Sequence, residues 1–215
     1  MLKKILLSLL ICLMSASGGF AADPLIAEIQ STYEKMKTFT GSFTQELKHR
    51  ETGSTERRTG TLIFKKPLSV RWETVSPFPE LLVINSNEVW DYLPDEELAY
   101  RHNRNVVHGS KSIIQVVTGQ SRLDKDFDVE READQNGLAV LRLYPKEPST
   151  QLVEALLIVD PATKLLRSAE TVDFYGNINR ITFSRLTPNA PAPAESFTFT
   201  PPKGVTIEDR RKDSK

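Results

Sequence analysis

The chain has 215 residues, with 28 Lys plus Arg against 28 Asp plus Glu and a formal charge of +0. That length suffices for one domain with a sizeable core, and the even charge excludes the strongly basic face that nucleic-acid binding needs. A hydrophobic fraction of 39% with 8% aromatics is too rich for a disordered chain.

Met1 to Ala21 reads as a secretory signal: Lys3-Lys4 is the charged start, Ile5 to Met14 the apolar run, and Gly19-Phe20-Ala21 a small-x-small cleavage site. Cleavage after Ala21 leaves residues 22–215 as one domain, with 26 basic against 28 acidic residues. The apolar run is too short to span a bilayer. The single cysteine, Cys12, follows bulky Ile11 inside the leader, which does not suit lipid attachment. The expected mature protein is therefore a soluble, monomeric periplasmic protein without disulfide or thiol.

Asp23-Pro24 opens a helix on which Ile26, Ile29, Tyr33 and Met36 share a face. Phe39, Gly41, Phe43, Gln45 and Leu47 share one face of a first strand, and Gly41 marks a bend. His49 to Arg58 is a polar hairpin end with Gly53 in its turn. From Gly60 to Tyr92 the alternation is continuous: Leu62 and Phe64, a stop at Lys66-Pro67, Val70 and Trp72, a stop at Ser76 to Pro79, Leu82 and Ile84, then Trp90 and Tyr92. Period-two apolar residues between such breaks mean consecutive antiparallel strands. Alternate side chains share a face, so Leu62, Phe64, Trp72 and Trp90 are expected to line one concave apolar surface. Val70, on the Trp72 face and close to Pro67, is expected near a mouth of it.

Leu98 to Tyr100 reads as a short strand and Arg101 to Gly109 as a loop. Ser110 caps a short helix with Ile113, Ile114 and Val117 as its apolar face and Gly119 as its stop. That helix is either core or a lid over the concave sheet. Strands resume at Phe127 to Val129 and after Gly137. Gln151 to Val159 is apolar enough for a strand covered on both faces. Leu166 to Phe174 and a strand with Ile181 and Phe183 flank a turn at Tyr175-Gly176-Asn177. Pro188 to Pro193 is an extended connection, Phe197 and Phe199 form a last apolar pair, and Arg210 to Lys215 is a charged tail. The pattern predicts a mainly β chain with helices (α+β): one strongly curved antiparallel sheet with two or three helices on its concave side.

Three segments in register, Gly60 to Tyr92, Phe39 to Gln45 and Phe197-Thr198-Phe199-Thr200-Pro201-Pro202-Lys203-Gly204-Val205, resemble the LolA family of periplasmic outer-membrane lipoprotein carriers. The resemblance implies an incomplete β-barrel with a helical lid that holds lipoprotein acyl chains on its concave face. The residues expected to line that face, from the alternation and the helix's apolar side, are Phe43, Leu62, Phe64, Val70, Trp72, Trp90, Ile113, Ile114 and Val117. It implies as partners an inner-membrane lipoprotein-releasing ABC transporter and an outer-membrane receptor, and no cofactor. Lys66 stands where many members carry an arginine that bonds to the lid; lysine offers a compact charge in place of a planar fork.

Nothing in the sequence argues for catalysis. His49, His102 and His108 fall at unrelated spacings without a metal motif. There is no Gly-x-Ser-x-Gly elbow and no phosphate loop, and Asp95 to Glu97 reads as a solvated turn. The residues alone leave two readings of the apolar set, an ordinary core or a cargo surface. A lipid- or lipoprotein-sensing regulator and a glycolipid-binding protein of similar half-barrel fold remain alternatives.

Overall fold

A computed structural model of the chain describes residues 23–105 and 113–211. The expected leader, His108 and the expected cap at Ser110 lie outside the described residues. Twelve strands form one sheet: β1 (Thr38–Lys48), β2 (Thr55–Lys65), β3 (Ser69–Ser76), β4 (Glu80–Ile84), β5 (Glu88–Leu93), β6 (Leu98–Asn103), β7 (Phe127–Gln135), β8 (Leu138–Pro145), β9 (Glu154–Val159), β10 (Leu166–Val172), β11 (Ile178–Pro188) and β12 (Thr206–Asp209). Among the described residues three α-helices accompany it: α1 (Pro24–Lys35), α2 (Ile113–Val117) and α3 (Leu123–Asp126).

The order is β12-β6-β5-β4-β3-β2-β1-β11-β10-β9-β8-β7. Two antiparallel meanders, one from each half of the chain, thus meet where β1 pairs with β11 over ten residues of each, from Phe39↔Pro188 to Lys48↔Ile178. The outer strands β7 and β12 are not paired to each other, so the curved sheet stays unclosed. One pairing departs from the expected antiparallel pattern. β12 runs parallel to β6, because the chain returns over the outside of the sheet before reaching that edge.

Curvature has local causes. The β1–β11 register skips Ser184, β2–β3 skips Val75 and β9–β10 skips Arg167; each bulge sharpens the twist of its strand. At Gly60 a Cβ would stand 2.1 Å from the Glu73 carbonyl oxygen and 2.7 Å from Cζ of Phe43, so only glycine lets β2 and β3 close up over the Phe43 ring. At Gly41, the expected bend, a Cβ would meet the Phe183 ring at 3.2 Å beside the skipped Ser184.

Alternation holds along β1, where Phe39, Gly41, Phe43 and Gln45 are buried. In β9 it corrects the sequence expectation: Ala155, Leu157 and Val159 are buried but Leu156 and Ile158 only half-buried, so one face alone is fully covered. β6 runs on to Asn103, into the expected loop, and α3 was not expected at all.

α1 lies in the concavity. Asp23 caps it, its carboxylate accepting from Leu25 N at 2.9 Å, with Pro24 in the first turn. Ile29, Tyr33 and Met36 join a continuous core with Phe39, Phe64, Leu141, Leu157 and Ile181 from both meanders.

Candidate functional site

Strand register decides which side chains face inward. Leu62 pairs with Trp72 and Trp72 with Leu82; Phe64 pairs with Val70, Val70 with Ile84, and Ile84 with Val89. Directly paired residues share a face. Leu62, Phe64, Val70, Trp72 and Phe43 therefore stand together on the concave side, with Phe43 and Trp72 ring centroids 4.5 Å apart. Val117 of α2 packs on the same core and Ile114 is half-buried against it; Ile113 begins the helix.

Trp90 is on the other face. It pairs with Val83, which pairs with Arg71, one position out of step with Trp72. It belongs to a small outer cluster with Val83 and Ala99, closed by Phe199, whose ring centroid lies 5.5 Å away. Its indole N–H donates to Glu88 Oε1 at 2.7 Å, and the Arg101 guanidinium lies 5.1 Å from its ring. The expected surface shared by both tryptophans is thereby corrected. The inward residues of β5 are Val89 and Asp91, and the sequence alternation chose the opposite parity, which flips every side chain. Phe197 and Phe199 do not pair. Phe197 is buried in a 3-10 turn against β3, and Phe199 covers Trp90 and Tyr92.

Val70 is fully buried. The mouth expected beside Pro67 is covered by Leu68, Met36 and the end of α1, so the expectation for Val70 is also corrected. Here Lys66 acts. Its ammonium donates to the carbonyl oxygens of Tyr33 at 2.8 Å and Glu34 at 2.6 Å, free groups at the C-terminal end of α1 where a cation suits the helix dipole. Partial burial lowers its pKa, and Glu34 opposes the shift. Lysine thus holds α1 with two point contacts and no fork.

Polar ties around the helices went unread in the sequence. Gln30, buried in α1, accepts from Leu123 N at 2.9 Å and so joins α1 to α3. The Tyr33 hydroxyl accepts from Leu166 N at 3.0 Å, and burial raises its pKa. Arg122 meets Glu34 at 2.9 Å and Lys164 meets Glu28 at 2.7 Å near the surface. Gly119 ends α2 at φ +66°, and a Cβ there would come within 2.9 Å of Tyr33. Only Gly119 had a sequence signal, as a helix stop.

The helices pack into the concavity against both meanders. Between α1, α2 and β9–β10 the remaining space is about 20 Å³, lined by Ile29, Tyr33, Val116, Leu123, Leu157 and Leu166, enough for one water. A larger cleft of about 140 Å³ lies at the opposite rim among Gln45, Arg58, Trp72, Thr74, Glu80, Leu82 and Ile114. Arg58 bridges Glu56 and Glu80 there, at 2.7 and 2.9 Å. Asp91 faces inward nearby, opposite Leu82. Its Oδ1 is buried without a hydrogen-bond partner among the described residues. Burial, with Glu80 adding to it and Arg210 opposing, pushes its pKa up to about 6.

The family model for the outer membrane lipoprotein carrier protein LolA matches residues 34–200, which includes both meanders. The chain belongs to the LolA family. Among LolA relatives, the outer-membrane lipoprotein carrier protein of Bordetella pertussis is 31% identical over 89% of this chain and 92% of its own length. That of Dechloromonas aromatica is 26% identical over 87% and 92%. The LolA architecture also matches a crystal structure of an uncharacterized conserved protein from Thermus thermophilus, with a TM-score of 0.56 and 14% identity over 86% of this chain and 98% of that one; at that identity the likeness concerns the fold alone. Among the described residues no helix is long and apolar enough to cross a membrane, and no group of three His, Cys, Asp or Glu is placed to hold a metal ion.

Proposed function

We infer that this LolA-family protein carries outer-membrane lipoproteins through the periplasm, sheltering their acyl chains on the concave face. The observation that carries this reading is an unclosed sheet whose inward face is apolar across both meanders and is closed by helices tied down through a few polar contacts. A triacylated lipoprotein exposes roughly 45 methylenes at about 0.8 kcal/mol each, tens of kcal/mol in water, so it needs an apolar host to cross an aqueous compartment. The space between α1, α2 and β9–β10 is far too small for such chains. Loading moves α1 and α2 outward and lets Phe43, Leu62, Phe64, Trp72, Ile114 and Val117 exchange contacts with the helices for contacts with cargo. The reading assigns no reaction to the chain. Release runs to an acceptor with a more favourable site, and the inner-membrane releasing transporter and outer-membrane receptor are the partners it calls for.

Ile114→Glu tests it. Ile114 is half-buried at the 140 Å³ cleft, so water reaches the new carboxylate and the fold should lose only about 1–3 kcal/mol. Acyl chains entering there meet a charge they cannot solvate. Transfer of a labelled lipoprotein from inner-membrane vesicles to the soluble fraction should fall far more than the melting temperature does. A folded variant that accepts lipoprotein at the wild-type level would refute the reading. The accompanying inference, a monomer released after Ala21, is checked by its absence from carbonate-washed membranes.

A further inference from the structure

The sheet has two rims, and strand direction assigns each turn to one of them. The turns β1–β2, β3–β4, β5–β6 and β10–β11 all lie on the rim away from Lys66. Most large apolar side chains of the described residues are buried. Two of these turns are exceptions. At the end of β3 Val75 is 60% exposed, and in the turn to β4 Phe78 is 67% exposed; between β10 and β11, Phe174 and Tyr175 are each 69% exposed. One hairpin separates the two tips in the sheet order, a span of four strand spacings or about 19 Å.

Neither pair is residue left over from core packing. Val75 is the residue skipped by the β2–β3 register, so the bulge presents it outward. Phe78 sits between Pro77 and Pro79 at the tip itself. Phe174 and Tyr175 pack edge to face at 5.6 Å, on a turn that Asp173 ties by accepting from the N–H groups of Tyr175 and Asn177. The turn is held against the neighbouring hairpin, whose Arg50 N–H donates to Asn177 Oδ1 at 3.1 Å.

We propose that this rim is a membrane-contacting edge, with Phe78 as its principal anchor and Phe174 and Tyr175 as a second contact. Two observations favour lipid over a protein partner. Residues 75–79 carry no charged side chain, so insertion desolvates no ion. Pro77 and Pro79 bring no N–H groups, so the tip offers few backbone donors, which suits an acyl boundary and suits strand pairing with another chain poorly. Aromatic side chains at two points of one rim then set orientation at the headgroup level. The position gives the contact its purpose, and here the inference rests on the carrier reading: Glu80, next after Pro79, lines the 140 Å³ cleft, so a docked rim brings the cleft to the surface from which acyl chains must come.

The test is flotation of the purified protein with protein-free vesicles of phosphatidylethanolamine and phosphatidylglycerol, alongside binding of a lipophilic dye. Wild type should float, and Phe78→Ser should weaken vesicle partition about tenfold, the scale of one buried phenylalanine, with unchanged melting and dye binding. Adding Phe174→Ser and Tyr175→Ser should abolish flotation. Wild type that does not float, or Phe78→Ser that floats like wild type, overturns the proposal. So does binding confined to vesicles containing membrane proteins, which would make the partner a protein. Failure of the dye to bind wild type, with flotation retained and lost on Phe78→Ser, sinks the carrier reading and leaves the lipid contact standing.

Discussion

At the residue scale, single positions hold conditions that composition cannot express. Gly60 is one. A methyl group there would run into the Glu73 carbonyl, which is backbone and cannot swing aside. Gly60→Ala should therefore cost more than about 2 kcal/mol, above the common range for an exposed strand position, and a denaturant titration will measure it. Asp91 is another. Its pKa in the fold, about 6, exceeds the ordinary 3.8, so the folded state holds the proton more tightly than the unfolded chain does. Its contribution is fully present below about pH 4 and is lost as pH rises through about 6. A shift of that size corresponds to about 3 kcal/mol, and partial solvent access reduces it to roughly 1 kcal/mol. Asp91→Asn should raise the melting temperature at pH 7 and leave it nearly unchanged at pH 4, read by melts across that window.

At the scale of elements, α1 is a helix that the sheet holds and can let go. Its apolar face supplies Ile29 and Tyr33 to the core, while its end is tethered by two hydrogen bonds from Lys66. Its ion pairs, Lys164 to Glu28 and Arg122 to Glu34, lie near the surface, where they contribute little, and Gln30 and Tyr33 each add one buried hydrogen bond, from Leu123 N and Leu166 N. Lys66→Met should lower stability by about 1 kcal/mol and speed dye entry, because the closed state loses more than the open one. Lys66→Arg should restore the slow rate, its fork reaching the same carbonyls. Stopped-flow dye uptake separates the three. Equal rates would mean that the tether does not gate the interior.

At the scale of the whole molecule, the sheet separates two aromatic clusters that one stretch of sequence had run together. Trp72 lies inside against Phe43, and Trp90 outside under Phe199. A dye entering the concavity should therefore shift or quench the emission of Trp72 alone. Trp72→Phe should abolish the dye-dependent signal and Trp90→Phe should preserve it, by steady-state fluorescence. The reverse result would place the ligand on the convex face.

The curved mainly β sheet with helices inside was legible in the sequence because its causes are local. Alternation in β1 to β3, proline and glycine breaks, the Asp23-Pro24 helix start and the Gly119 stop are all written within a few residues of where they act. So was most of the inward set, Phe43, Leu62, Phe64 and Trp72, since each shares the parity of its own strand. Tertiary structure alone decided the rest. Val89-Trp90-Asp91-Tyr92 offers apolar residues in both parities, and only pairing with β4 and the return of Phe199 across the outside send Trp90 outward. Val70 reads as near a mouth until α1, brought over it by Lys66, closes that end. The meeting of β1 with β11, the parallel β12 and the space left inside depend on residues more than a hundred positions apart, and no local pattern of side chains encodes a contact of that range.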